Sequence, residues 1–170
     1  MTTTTTHSNN SLSYISGGDV NEAVSIMQDR LVALLDLQLT LKHIHWNVVG
    51  PNFIAVHEML DPQVDSIRLM SDSVAERIAT TGGQPLGTPG AITATRSWSD
   101  YGINRAAVTD HLTELDDVYT GVITDHRAAA SRFSELDPVT EDLFIGQLRD
   151  LELFQWFVRA HLQDASGTVN

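Results

Sequence analysis

The stretch from Lys42 to Asp61 sets three histidines, His43, His45 and His57, and two acids, Glu58 and Asp61, around a Gly50-Pro51 turn, in a chain of 170 residues with only seven histidines. A second acidic pair, Asp72 and Glu76, follows in SDSVAER. Imidazole nitrogen combined with carboxylate oxygen suits iron(II) and stabilises iron(III), although zinc, manganese and cobalt accept the same donors. The chain has no cysteine, which excludes disulfides, thiolate metal sites and a cysteine nucleophile, so a metal site has to be built from nitrogen and oxygen.

Spacing decides which of these groups can meet. On a helix that turns about 100° per residue, His57 and Asp61 converge, as do Asp72 and Glu76, because each pair is four residues apart. All four fall within an arc of about 100° beside the apolar stripe of Leu60, Val64, Ile67, Val74 and Ile78. Taken alone, either pair reads more simply as a solvated acidic face, with Arg68 or Arg77 as counter-charge for Asp72 and Glu76. The centres of the two pairs are fifteen residues, or about 22 Å, apart along the axis, so one helix cannot bring both to one ion. A second copy lying antiparallel across a two-fold axis near Ser66 and Ile67 would place His57 and Asp61 of one chain opposite Asp72 and Glu76 of the other.

His45 falls about 20° from Leu34, among the leucines, and can join His57 and Asp61 of its own chain across the turn. Alone it reads as a core-edge histidine bonded to a carbonyl sooner than as a ligand. His43 shares an arc with Asp29, Asp36 and Thr40 and reads as solvated. His111, His126 and His161 have no partner spacing and read as surface or interface histidines, and His7 as a solvated tail residue. No Glu-x-x-His occurs, so a di-iron centre inside one subunit is not expected.

Four long helical segments position these groups. Asp19 and Glu22 have capping-box spacing for a first helix from Asp19 to Asn47. Its leucines, Leu31, Leu34, Leu35, Leu37, Leu39 and Leu41, spread over roughly 200°, wider than one core requires, so part of this helix is expected to meet another subunit. Asn52 caps a second helix that runs to Gly82-Gly83, with Pro62 placed either to bend it and re-aim Asp61 or to be tolerated in an early turn. Residues Gly82 to Ile103 form a long connection with room for a short helix around Trp98. A third helix runs from Asn104 to about Phe133, and Asp137-Pro138 opens a fourth that ends near Ala165. Short, long, short connections predict two antiparallel hairpins joined by one crossover, an all-α ferritin-like four-helix bundle, without strands or repeats. Residues 1–18 are expected to be a flexible tail, biased to Thr, Ser and Asn from Met1 to Ser11; 19–165 the bundle; and 166–170 a short C-terminal tail.

At 42% hydrophobic the chain has enough apolar content for one domain. The formal charge is −12 and Lys42 is its one lysine, so cations are more natural partners than phosphate backbones. Neither a signal-peptide pattern nor a long apolar run occurs, which points to a soluble, cytoplasmic protein with no membrane partner.

HWNVVGPNFIAVHEMLD, followed at the right distance by DSVAER, resembles the Dps family of DNA-protecting mini-ferritins, and the likeness extends through the helix order to the WFVRAHL ending. The resemblance implies ferroxidase ligands at His45, His57 and Asp61 of one subunit and Asp72 and Glu76 of its two-fold mate. It implies a hollow dodecameric shell, a homo-oligomer of twelve subunits, that oxidises iron(II), preferably with hydrogen peroxide, and stores the ferric product, protecting the cell from oxidative damage. It also implies an aromatic beside the centre at Trp46, an ion-pairing lysine at Lys42, and an acid-lined pore at Asp142 with Asp137 or Glu141. At Trp46 plain packing, and at the pore acids plain helix-dipole placement, serve equally well. Family members that bind DNA commonly use lysine-rich tails; MTTTTTHSNN has no Lys or Arg, so strong direct DNA binding is not expected. Two alternatives are a hydrolase using the same metal sites, and a nucleoid-binding structural protein, which the missing basic tail disfavours.

Overall fold

The computed structural model describes residues 14–15 and 19–163. In chain order the elements are α1 (Val20–Asn47), β1 (Val48–Val49), α2 (Phe53–Thr80), α3 (Pro89–Thr95), β2 (Ala106–Ala107), α4 (Val108–Leu136) and α5 (Pro138–Leu162). The bias of Met1 to Ser11, His7, the C-terminal tail and the expected end near Ala165 lie outside the described residues. Of the expected N-terminal tail, Tyr14 is exposed and Ile15 is buried in the core.

The two hairpins form as the connection lengths dictate. Packing is most extensive between α1 and α2 and between α4 and α5, and α1 against α4 joins the pairs. The shared core is filled by side chains such as Leu34, Leu41, Ile67, Tyr119, Phe133 and Phe144, all fully buried. Tyr119 carries its hydroxyl into that core and donates it to Gln63 Oε1 at 2.7 Å, which removes the cost of burying it unpaired.

Local signals hold in part. Asp137 caps α5, its side chain accepting from Thr140 N at 3.0 Å with Pro138 in the first turn. The expected capping box at Asp19 does not form, because Glu22 turns instead to Arg132, at 2.6 Å, and Asp19 makes no side-chain cap bond. Asn52 does not cap with its side chain either; it takes φ +63° after Gly50 at +98°, the two left-handed residues that reverse the chain between α1 and α2. Pro62 lies inside α2 without ending it.

The crossover differs most from expectation. Its helix is α3, started by the Thr88 side-chain cap and Pro89, so Trp98 lies beyond it in irregular chain. α4 begins at Val108, not Asn104, because Ala106 and Ala107 pair in parallel with Val48 and Val49, a two-residue bridge where no strand was expected. The connection is strapped down along its length. Gln28 exchanges two hydrogen bonds with the Leu86 backbone, at 2.7 and 2.9 Å. Gly83 packs so tightly that a Cβ would stand 2.7 Å from Val24, which leaves no room for a side chain.

Candidate metal centre

The tight turn from Gly50 to Asn52 lays the last turn of α1 beside the first turn of α2, and the site is built where they touch. His45 Nδ1 donates to the His57 carbonyl and His57 Nδ1 donates to the His45 carbonyl, both at 2.9 Å. The two rings stack with centroids 3.6 Å apart and planes 23° apart, and Phe53 closes the outer side at 5.0 Å from His57. The His45 carbonyl belongs to the last turn of α1, where helical partners run out, so the histidine that approaches the site also caps the helix.

This reciprocity fixes the tautomers. A carbonyl only accepts, so each Nδ1 carries the hydrogen, and in the neutral ring the lone pair lies on Nε2. Tying the other ring nitrogen to a carbonyl is how proteins orient imidazoles that bind metals. His45 is buried and His57 half-buried.

Asp61, one turn beyond His57, brings a carboxylate to the same place. Its Oδ1 lies 3.3 Å from His45 Nδ1 and 3.0 Å from Lys42 Nζ. The hydrogen bond from Lys42, aided by the neighbouring His45 and His57, outweighs partial desolvation and holds the Asp61 carboxyl below the usual range. Trp46, next to His45, is largely exposed, with Lys42 Nζ 5.8 Å from its ring.

Asp72 and Glu76 are elsewhere. Both are exposed on α2, about 22 Å along the helix from the hairpin group. Of their expected neutralisers, Arg77 turns away, donating to Asp137 Oδ2 at 2.5 Å and Thr140 Oγ1 at 2.9 Å, and Arg68 borders the same groove as Asp72 without an ion pair to it. No ion pair holds either acid among the described residues. Asp72 borders a groove with Leu31, Leu35, Leu69 and Ala75. Among the described residues no three His, Asp or Glu side chains stand together in position to hold a metal ion. In the single chain His45, His57 and Asp61 are neighbours at the hairpin, with Asp61 at the Nδ1 edge of His45, and Asp72 with Glu76 lie apart on α2; neither set alone makes a three-ligand metal site among the described residues.

The wide leucine arc of α1 divides: Leu31, Leu34, Leu37 and Leu41 are buried in the chain's own core, Leu35 is half-buried, and Leu39 is exposed, which leaves part of the arc for another subunit. Several other expectations change. His43 is not solvated; its Nε2 donates to the Ile103 carbonyl at 2.8 Å. His111 and His126 are not surface residues but fully buried, bonded to the Tyr101 hydroxyl at 2.9 Å and to Gln147 Oε1 at 3.3 Å. Their phase on α4, three residues from Val108 and from Ile123, was the available signal. His161 is exposed, as expected. Asp137 is committed to Arg77 and to its cap, while Glu141 and Asp142 at the start of α5 have no ion-pair partner among the described residues. Burial pushes the Asp137 carboxyl up, but the bonds from Thr140 and Arg77 prevail and hold it below its ordinary value.

Comparison with known proteins agrees with this architecture. A ferritin-like domain model matches residues 24–167. The DNA protection during starvation protein of Mycolicibacterium smegmatis is 53% identical over 155 residues, covering 91% of this chain and 85% of its own. The structure of DpsA14 from Streptomyces coelicolor superposes with a TM-score of 0.90 at 58% identity, over 92% of this chain and 94% of that one. The fine tangled pili major subunit of Haemophilus ducreyi is 49% identical over 143 residues, 84% of this chain and 76% of that protein.

Proposed function

Because the chain belongs to the ferritin-like family, within its Dps branch, we propose that it oxidises iron(II), preferably with hydrogen peroxide, and stores the ferric product inside a shell of twelve copies. The observation that carries this is the hairpin group: two imidazoles locked through Nδ1 with Nε2 left for a metal, and Asp61 beside them, with no complete metal site among the described residues of one chain. Asp72 and Glu76 of a two-fold mate supply the missing oxygens. The exposed apolar side chains Leu39, Ile54 and Leu69 on α1 and α2 support a partner on this face.

Iron is the substrate, and the donor set fits it. His45 and His57 hold it through neutral nitrogen, while three carboxylates offset charge as iron(II) becomes iron(III). Two iron(II) ions give one electron each to one peroxide, whose O–O bond breaks to yield two waters with two protons taken from solvent. No hydroxyl radical is released. Lys42 keeps Asp61 ionised and in place. The acidic chain attracts the cation, with Glu141 and Asp142 placed for an entry pore.

DNA protection follows from removing iron(II) and peroxide, not from strong contact with the duplex, since repeating a −12 chain gives a strongly acidic particle. Duplex DNA is expected to run unshifted in a gel near neutral pH without divalent metal. The main test loads purified protein with iron(II), adds peroxide, and follows peroxide consumption and particle mass. Fast consumption and a twelve-subunit particle gaining iron are expected; an unchanged mass with slow consumption would overturn the proposal.

A further inference from the structure

The crossover roofs a cavity of about 420 Å³ between α1 and α4, remote in character from the imidazole site. Its floor is apolar, with Leu37 from α1 and Val118 and Val122 from α4, and its wall is aromatic, with Trp98 and Tyr101. The wall is held in place. Trp98 Nε1 donates to Asp36 Oδ2 at 2.6 Å, and Asp36 is itself paired with Arg96 at 3.2 Å. The Tyr101 hydroxyl meets His111 Nδ1 at 2.9 Å, and burial, reinforced by Glu114, raises its pKa well above the ordinary value, so the phenol stays neutral.

The charges around this apolar cavity are unbalanced. Five carboxylates line it, those of Asp36, Asp100, Glu114, Asp117 and Asp125. Two guanidiniums answer them: Arg96 contacts Asp36 and Asp100, and Arg30 pairs with Asp125 at 3.3 Å. Glu114 and Asp117 have no ion-pair partner among the described residues. An anion is repelled here, and a neutral apolar guest gains nothing from the two exposed, hydrated acids at the rim, whereas a cation is attracted to them. A bare divalent ion finds no three acids gathered at one point. A guest with a methylene body and ammonium ends satisfies floor, wall and rim together, because methylenes pack on the leucine and valines while cations sit against carboxylates and indole.

We propose that this cavity binds a linear aliphatic diamine or polyamine, with one ammonium between Glu114 and Asp117 and the chain running along the Trp98 face. The volume lies within the range of small-molecule sites.

Full-length protein is titrated with cadaverine by calorimetry and by tryptophan fluorescence, with its neutral diol analogue and magnesium at matched ionic strength as comparisons. Saturable binding of one cadaverine per chain is expected, with no saturable signal from the diol or from magnesium. Trp98→Phe abolishes the emission change while heat of binding persists. Glu114→Gln with Asp117→Asn, both exposed positions, weakens binding at least about tenfold without lowering the thermal midpoint. Non-saturating binding, an equal response to magnesium, an emission change that survives Trp98→Phe, or unchanged affinity in the double variant would overturn the assignment.

Discussion

The two acid-bearing ends of α2 are organised differently. At the N-terminal end, His45, His57, Asp61 and Lys42 are bound to one another within the chain, by two reciprocal imidazole bonds and an ion pair. At the C-terminal end, Asp72 and Glu76 are exposed, and their neighbour Arg77 is occupied by α5. The contrast separates what one chain can pre-organise from what it must receive. Imidazoles have a ring nitrogen to spare for the backbone and can be locked before metal arrives, whereas bare carboxylates stay solvated until a cation or partner reaches them.

Breaking either end is expected to have the largest effect. His57→Ala and Glu76→Ala should each slow peroxide-driven iron oxidation by roughly a hundredfold or more, although the substitutions are about 28 Å apart within one chain. Stopped-flow absorbance of the ferric product checks this, and a normal rate in the Glu76 variant would confine the site to the hairpin.

Arg77 sharpens the comparison, because it anchors the acidic end without being free to neutralise it. Arg77→Ala leaves the largely buried Asp137 carboxylate unpaired at the α5 cap and should cost about 3 kcal/mol in denaturant unfolding. The low folded-state pKa of Asp137 means that its contribution is present above its unfolded value and is lost as pH falls through the folded value.

Acid titration distinguishes the site from the bundle beneath it. Burial, with the nearby Arg30 charge adding to it, pushes His126 down to about 4 from an ordinary value of 6.5. The unfolded chain binds this proton more readily, so stability is fully present above about 6.5 and declines toward pH 4, by up to about 3 kcal/mol. His126→Gln should flatten that part of a thermal-melt series. The smallest effect is expected from Lys42→Met, which removes an exposed ion pair to Asp61 and should slow iron oxidation about two- to fivefold in the same stopped-flow assay.

Much of this was legible in the residues. Gly50-Pro51 and Asp137-Pro138 mark short turns, and periodicity marks four helices, because these are local properties. The pairing of Ala106 and Ala107 with Val48 and Val49 was not legible, since it joins positions 58 residues apart and leaves no alternation in either segment. Nor was the loss of the Asp19 capping box, which depends on Arg132 reaching Glu22 from α4. His111 and His126 read as surface or interface residues because their partners, Tyr101 and Gln147, lie on other segments, although their phase on α4 carried a signal of burial. At the site, the four-residue spacings and the 22 Å separation were readable from helix geometry. The exchange of Nδ1 bonds between His45 and His57 was not, because it depends on the left-handed turn at Gly50 and Asn52.

The central claim is that each pocket draws on two chains, and subunit mixing tests it most directly. A His57→Ala chain and a Glu76→Ala chain, each inactive alone, are unfolded together and reassembled. Each mixed two-fold pair then holds one intact pocket, and random mixing restores about a quarter of the wild-type oxidation rate. A mixture no more active than its two parents, in particles shown by native mass measurement to contain both chains, would contradict the shared site.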